Sequence, residues 1–97
     1  MGNDEVEVRL DADRHRFEIF LDGELSGHSR FQDSDGTRTF IHTEIDPNRE
    51  GHGLGGRLVR EALDQTKAAG MRVVPQCPFV RSFIEDHPEY ADLVDAA

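Results

Sequence analysis

Apolar residues recur at every second position as far as Ile45 and at three- and four-residue spacing after Gly53, and no other feature narrows the fold as much. A period of two belongs to strands with one buried face, and a period near 3.6 to an amphipathic helix. The chain therefore begins as sheet and continues as helix. Across residues 5–10, Val6, Val8 and Leu10 alternate with charged residues, and Phe17, Ile19 and Leu21 repeat the pattern across residues 15–21. Asp11-Ala12-Asp13 supplies turn chemistry between them. Asp22-Gly23 is a two-residue hairpin signal, because both residues tolerate the positive φ of a primed turn. A third strand spans residues 24–31, and Asp33-Ser34-Asp35-Gly36 breaks the chain again. The fourth, residues 37–45, places Ile41, Thr43 and Ile45 on one face and Phe40, His42 and Glu44 on the other. The first half is an antiparallel four-strand meander.

Asp46-Pro47-Asn48-Arg49-Glu50 turns the chain into Gly51-His52-Gly53-Leu54-Gly55-Gly56. Leu54, Leu58, Ala62, Leu63 and Thr66 then share one side of a helix that ends at Gly70, with Arg57/Glu61 and Arg60/Asp64 at i,i+4 spacing elsewhere. Residues 71–75 form a short apolar run suited to a buried parallel strand, so strands four and five are joined by a right-handed crossover. Pro78 opens a last helix with Phe79, Val80, Phe83 and Ile84 as its apolar stripe; His87-Pro88 closes it, and Tyr90, Leu93 and Val94 pack as a tail. The fold class is α/β (α+β) with a mixed sheet. A chain of 97 residues supports one core and one domain, residues 1–97.

Twenty acidic against eleven basic residues give a net charge of -9, which repels a phosphate backbone and argues against a nucleic-acid partner. The acidity serves solubility or attracts a cationic acceptor, and charge alone does not choose. No apolar run is long enough to span a bilayer, and the first residues lack the basic and apolar stretches of a secretory signal. The expectation is a cytoplasmic protein with no membrane partner. Cys77 is the single cysteine, so no internal disulfide forms. His15, His28 and His87 are scattered without ligand spacing, and no metal is expected.

Closely spaced glycines at a helix start leave the first N–H groups unshielded, and the helix dipole adds favourable charge for an anion. Gly51, Gly53 and Gly56 match the G-x-G-x-x-G of dinucleotide-binding folds, but there the glycines directly follow the first strand. Here four strands precede them. A Walker phosphate loop needs G-K-[ST], which is missing. A glycine-rich helix entry used only for close packing stays open.

Strand four, His52-Gly53-Leu54-Gly55 and the following helix resemble the acetyl-CoA-binding segment of the GNAT N-acetyltransferases, whose pattern is Gln/Arg-x-x-Gly-x-Gly/Ala. Gly53 and Gly55 match it; Glu50 stands where the pattern has Gln or Arg. The chain is most similar to small stand-alone members, through His42-Thr43-Glu44, Pro75-Gln76-Cys77-Pro78 and His87-Pro88-Glu89-Tyr90. The resemblance implies a GNAT-like fold, acetyl-CoA as co-substrate and an amine acceptor. It places the cofactor along Ile45, Arg49, Glu50, Gly51, His52, Gly53, Leu54, Gly55 and Gly56, with positive charge from Arg49, His52 or Arg57.

Acetyl transfer requires a neutral amine, a polarised thioester and a proton for the departing thiolate. His42 and Glu44 share a face just before the turn and suit a base, although a polar strand face has the same pattern. Cys77 sits where a helix start favours thiolate, which suits an acetyl-cysteine intermediate or, equally, an inert thiol beside the cofactor. Tyr90 is a weaker candidate acid, on the resemblance. Larger members of the family this chain resembles shape the acceptor pocket with extra helices after the first strand, whereas tight turns follow here, so the resemblance implies an open acceptor site suited to a protein lysine, an N-terminus or another flexible amine. The competing readings are a non-catalytic coenzyme A-binding module and a small interaction domain without a ligand. The expected state is a monomer or weak dimer, through an edge strand such as the first.

Overall fold

The structure is a computed structural model and describes residues 5–95. Residues 1–4, part of the N-terminal stretch that bears on a secretory signal, lie outside the described residues. The elements follow in order as β1 (Val6–Asp11), β2 (Arg16–Leu21), β3 (Glu24–Ser34), β4 (Thr37–Ile45), α1 (Leu54–Ala68), β5 (Arg72–Pro75) and α2 (Pro78–Asp86). Short 3-10 turns at Pro47–Arg49 and Pro88–Leu93 complete them. The sheet order is β1-β2-β3-β4-β5, antiparallel through β4 and parallel between β4 and β5.

Both tight hairpins are built by an Asp-Gly pair. Asp22 and Gly23 have φ of 52° and 82°, and Asp35 and Gly36 of 51° and 79°, the left-handed values a type I′ turn requires. The second turn uses only those two residues, so β3 continues to Ser34 where the sequence suggested an end at Phe31. Asp33 belongs to the strand because it lies directly opposite Arg38 and holds its guanidinium at 2.8 and 2.9 Å. Arg38 is only 7% exposed; it also reaches Thr66 at 3.3 Å and lies 4.2 Å from the Phe31 ring centroid. Its buried charge is thus paired and hydrogen-bonded, as it must be.

A bulge changes the faces of β4. Arg30 pairs with His42 but Phe31 with Phe40, leaving Ile41 without an opposite residue. Strict alternation put Phe40 with His42 and Glu44; instead Phe40 is buried against Phe17 and Phe31, with ring centroids 6.3 and 6.1 Å away. Thr43 and Ile45 pair with Ser29 and Gly27 and so share the face of Phe17, Ile19 and Phe31. The extra residue reverses the alternation between Phe40 and Thr43.

Phe17, Ile19, Phe40, Leu58, Ala62, Leu63, Val73 and Val80 form one core between the sheet and the two helices. Both helices cover this face, and the described residues leave the face of Arg16, His28, Arg30, His42 and Glu44 without a helix over it. The expected stripe of α1 is buried, joined by Val59. In α2, Val80, Phe83 and Ile84 are buried, whereas Phe79 is 44% exposed. No helix of the described residues is long and apolar enough to cross a membrane.

Candidate active site

The glycine segment is a turn with a prescribed geometry. Asp46 accepts the Asn48 N–H at 2.9 Å and its carbonyl accepts the Arg49 N–H at 2.8 Å, which bends the chain out of β4. Gly53 caps α1 with φ 70°, a conformation a side chain would strain, and no side-chain hydrogen bond occupies the cap. The first helical bond runs from the Arg57 N–H to the Gly53 carbonyl at 3.2 Å, so the N–H groups of Leu54, Gly55 and Gly56 have no intrahelical acceptor. At Gly55 the requirement is space: a Cβ there would stand 2.6 Å from Phe79 Cζ.

These residues line a groove of about 440 Å³, with Thr43 and Ile45 from β4 on one side and Phe79 from α2 on the other. Arg49, Glu50, Gly51, Gly53, Leu54, Gly55 and Gly56 complete it. Arg49 does not present a free charge, because its guanidinium is paired with Glu24 and stands 3.9 Å from Asp46. Among the expected cofactor residues, His52 is exposed and is not in the lining. Arg57 is exposed one residue beyond Gly56.

The sheet is open at this point. β5 pairs with β4 only from Thr37↔Arg72 to Phe40↔Pro75, and the Cys77 N–H then closes on the Phe40 carbonyl at 2.9 Å. Beyond Phe40, no strand among the described residues pairs with β4 on that side. The Asp46 N–H bonds the Ser26 carbonyl at 2.8 Å, and in an antiparallel ladder alternate residues face the partner. Glu44 therefore bonds β3, and the backbone groups of Thr43 and Ile45 point away from it, along the groove.

Cys77 precedes α2 and is 2% exposed, with Sγ 3.4 Å from Thr43 Oγ1. Thr43 is in turn 2.9 Å from Ser29 Oγ. His42 and Glu44 lie on the other face of β4, both well exposed, with Nε2 and Oε1 3.5 Å apart. The His28 ring is 6.3 Å from that of His42, and burial first, then the Arg16 charge, lowers its pKa from the usual 6.5. Of the candidate catalytic residues, Cys77 thus lies beside Thr43 on the core side of β4, and His42 and Glu44 lie on the other side.

Tyr90 is not brought to the groove. Its hydroxyl donates to Asp64 at 2.7 Å and stands 3.4 Å from Arg60, and burial and the Asp64 carboxylate raise its pKa above 10.0. Asp64 lies ten residues along α1 from Leu54, or about 15 Å of helix. Sequence reasoning also passed over Thr43 and Phe79. Thr43 stands between the two candidate bases in the sequence, and the signal for Phe79 was Gly55, where a side chain would meet its ring. A second hollow of about 440 Å³, where Ile41 is found beside Arg14 and Arg30, contains none of the glycine-turn residues. Among the described residues no group of acidic, histidine or cysteine side chains is placed to hold a metal.

Against known proteins, the family profile of the GCN5-related N-acetyl-transferases matches residues 16–93. A GCN5-like putative N-acetyltransferase from Staphylococcus aureus superimposes over 100% of this chain and 93% of its own, with a TM-score of 0.69 at 17% identity. A GNAT family acetyltransferase from Brucella melitensis, solved in complex with acetyl-CoA, shares 28% identity and a TM-score of 0.56 over 74% of this chain. The ribosomal-protein-alanine N-acetyltransferase of Brucella melitensis biovar Abortus 2308 gives a TM-score of 0.59 at 19% identity over 84% of this chain. The chain spans 54% and 62% of the two Brucella proteins. No curated protein sequence matches it.

Proposed function

The chain belongs to the GCN5-related N-acetyltransferases, and on that premise we propose that it holds acetyl-CoA in the glycine groove and passes the acetyl group directly to an amine arriving from the opposite sheet face. The observation that carries this is the position of β4, with Thr43 and Ile45 on the groove and His42 and Glu44 behind them, beside the gap left by β5. The N–H groups of Leu54, Gly55 and Gly56 suit the pyrophosphate, since backbone amides at a helix start bind anions without a side chain. Glu50 in place of Gln or Arg is then tolerable. The outward backbone groups of Thr43 and Ile45 suit the pantetheine amides and the thioester carbonyl.

In the transfer, His42 takes the proton of the amine, with the Glu44 carboxylate 3.5 Å away to stabilise the imidazolium. The amine nitrogen attacks the thioester carbon, the carbon–sulfur bond breaks, the coenzyme A thiolate takes up a proton from water, and the His42 imidazolium returns its proton to water, so no net proton is gained or lost. Direct attack is favoured over an acetyl-Cys77 intermediate by the burial of the thiol and by its partner, a threonine hydroxyl rather than a base. The uncovered face suits a protein lysine, an N-terminus or another flexible amine. A single cytoplasmic domain without nucleic acid, membrane or metal completes the reading.

Calorimetric titration with acetyl-CoA, then intact-protein mass spectrometry and an amine screen, tests it. The expected results are micromolar binding, no lasting acetyl adduct, turnover retained by Cys77→Ser, and kcat at least about tenfold lower in His42→Ala with binding unchanged. An adduct lost with Cys77→Ser supports the two-step route instead. Binding without turnover leaves a non-catalytic coenzyme A module, and no binding returns the glycine turn to packing.

A further inference from the structure

The two edges of the sheet are finished differently. At β5, Val94 forms a parallel bridge to Val73 and the Asp95 N–H bonds the Val73 carbonyl at 2.8 Å, so the tail covers that edge. At β1 the only strand partner among the described residues is β2. The Asp22 N–H bonds the Glu5 carbonyl at 2.7 Å, which sets the alternation along β1. Glu7 and Arg9 then bond β2, and the backbone groups of Val6, Val8 and Leu10 face outward. The same three side chains form a row on the helix face, where Leu10 is 44% exposed. On the other face Glu7 and Arg9 are paired at 2.9 Å, with Arg9 4.6 Å from the Phe20 ring centroid.

We infer that β1 joins two copies of this chain edge to edge, antiparallel and centred on Val8. In that register Val8 meets Val8 of the second copy and Val6 meets Leu10. Each outward residue then exchanges both of its backbone bonds with the residue opposite. Glu7 falls opposite Arg9 on one face, in the non-hydrogen-bonded positions where side chains approach most closely. The exposed Leu10 meets Val6 on the other. One strand therefore carries backbone, charge and apolar patterns that are all self-complementary about the same residue. A strand of six residues makes a small interface, which sets the dimer in the weak, transient class. Two strands separate β1 from β4, so the association is independent of the acetyl-transfer reading.

Sedimentation of the full chain from micromolar to millimolar concentration tests the inference. The expected result is a concentration-dependent shift from 10.9 kDa towards twice that mass, abolished by Val8→Pro. Proline there removes an outward donor and part of the packing of Val8 against the core, yet it is tolerated on an edge strand, and a circular dichroism spectrum like the parent's shows that the variant is folded. Glu7→Arg and Arg9→Glu each set like charges opposite one another in both symmetric pairs and raise Kd on the order of tenfold. Mixing these two variants restores association, because every charge then meets its opposite. A chain that stays monomeric at millimolar concentration overturns the inference. So does a dimer that survives Val8→Pro, or one that neither charge reversal weakens.

Discussion

Replacing Gly55 by alanine separates a ligand groove from a mere packing contact. The new Cβ would lie 2.6 Å from Phe79 Cζ and 3.2 Å from Cε2, the first about 1 Å inside carbon contact distance. Phe79 is 44% exposed and withdraws towards solvent, giving up part of its burial at about 1 kcal/mol. Alanine recovers about 0.5–1 kcal/mol over glycine in a helix. The two effects nearly cancel, so urea unfolding should show a change within about 1 kcal/mol. Binding has no such compensation. The methyl group stands at the groove wall beside the free Gly55 N–H, and losing one amide bond to a charged group costs about 1.5–3 kcal/mol. Calorimetric titration should therefore show Kd for acetyl-CoA raised at least about tenfold. An unchanged Kd in a folded variant would refute the placement of the ligand. Destabilisation beyond about 2 kcal/mol, relieved by Phe79→Ala, would show that the contact serves packing.

Gly53→Ala should behave in the opposite way. Its Cβ meets nothing within 4 Å, so the cost is the left-handed φ of 70°, about 1–2 kcal/mol in urea unfolding, and a neutral result would sink the cap assignment. Tyr90→Phe removes the hydroxyl bond to Asp64 and should cost about 1–2 kcal/mol of stability while leaving kcat unchanged; a lower kcat with intact stability would reinstate it as an acid. His28 has its pKa lowered in the fold by burial and by Arg16, so the unfolded chain takes up its proton first. Its contribution is full above pH 6.5 and is lost as pH falls through the lower folded value. His28→Gln should flatten that part of the stability profile, and an unaltered slope would exclude the mechanism.

Much of the fold is written in local chemistry. The Asp-Gly turns, the change of hydrophobic period at Asp46 and the proline opening α2 act within a few residues, and all appear where the sequence places them. β3 runs past Phe31 to Ser34 because Asp33, a turn-forming residue by type, pairs with Arg38 on the facing strand. The glycine turn was legible as a helix entry with exposed N–H groups for the same reason of locality, since these follow from a helix start and small side chains.

What the sequence determined by itself was the order of elements, the antiparallel meander and the helix entry. Which residues share the site was decided only by the tertiary structure. Ile41 bulges because β3 and β4 pair out of step beyond Arg30, which turns Thr43 towards the groove and leaves Phe40 in the core. The gap beside Thr43 exists because β5 ends at Pro75 and Cys77 ties the start of α2 to Phe40. Tyr90 is carried to Asp64 by the path of the tail. Periodicity specifies a face only while the register holds, and register belongs to two strands at once.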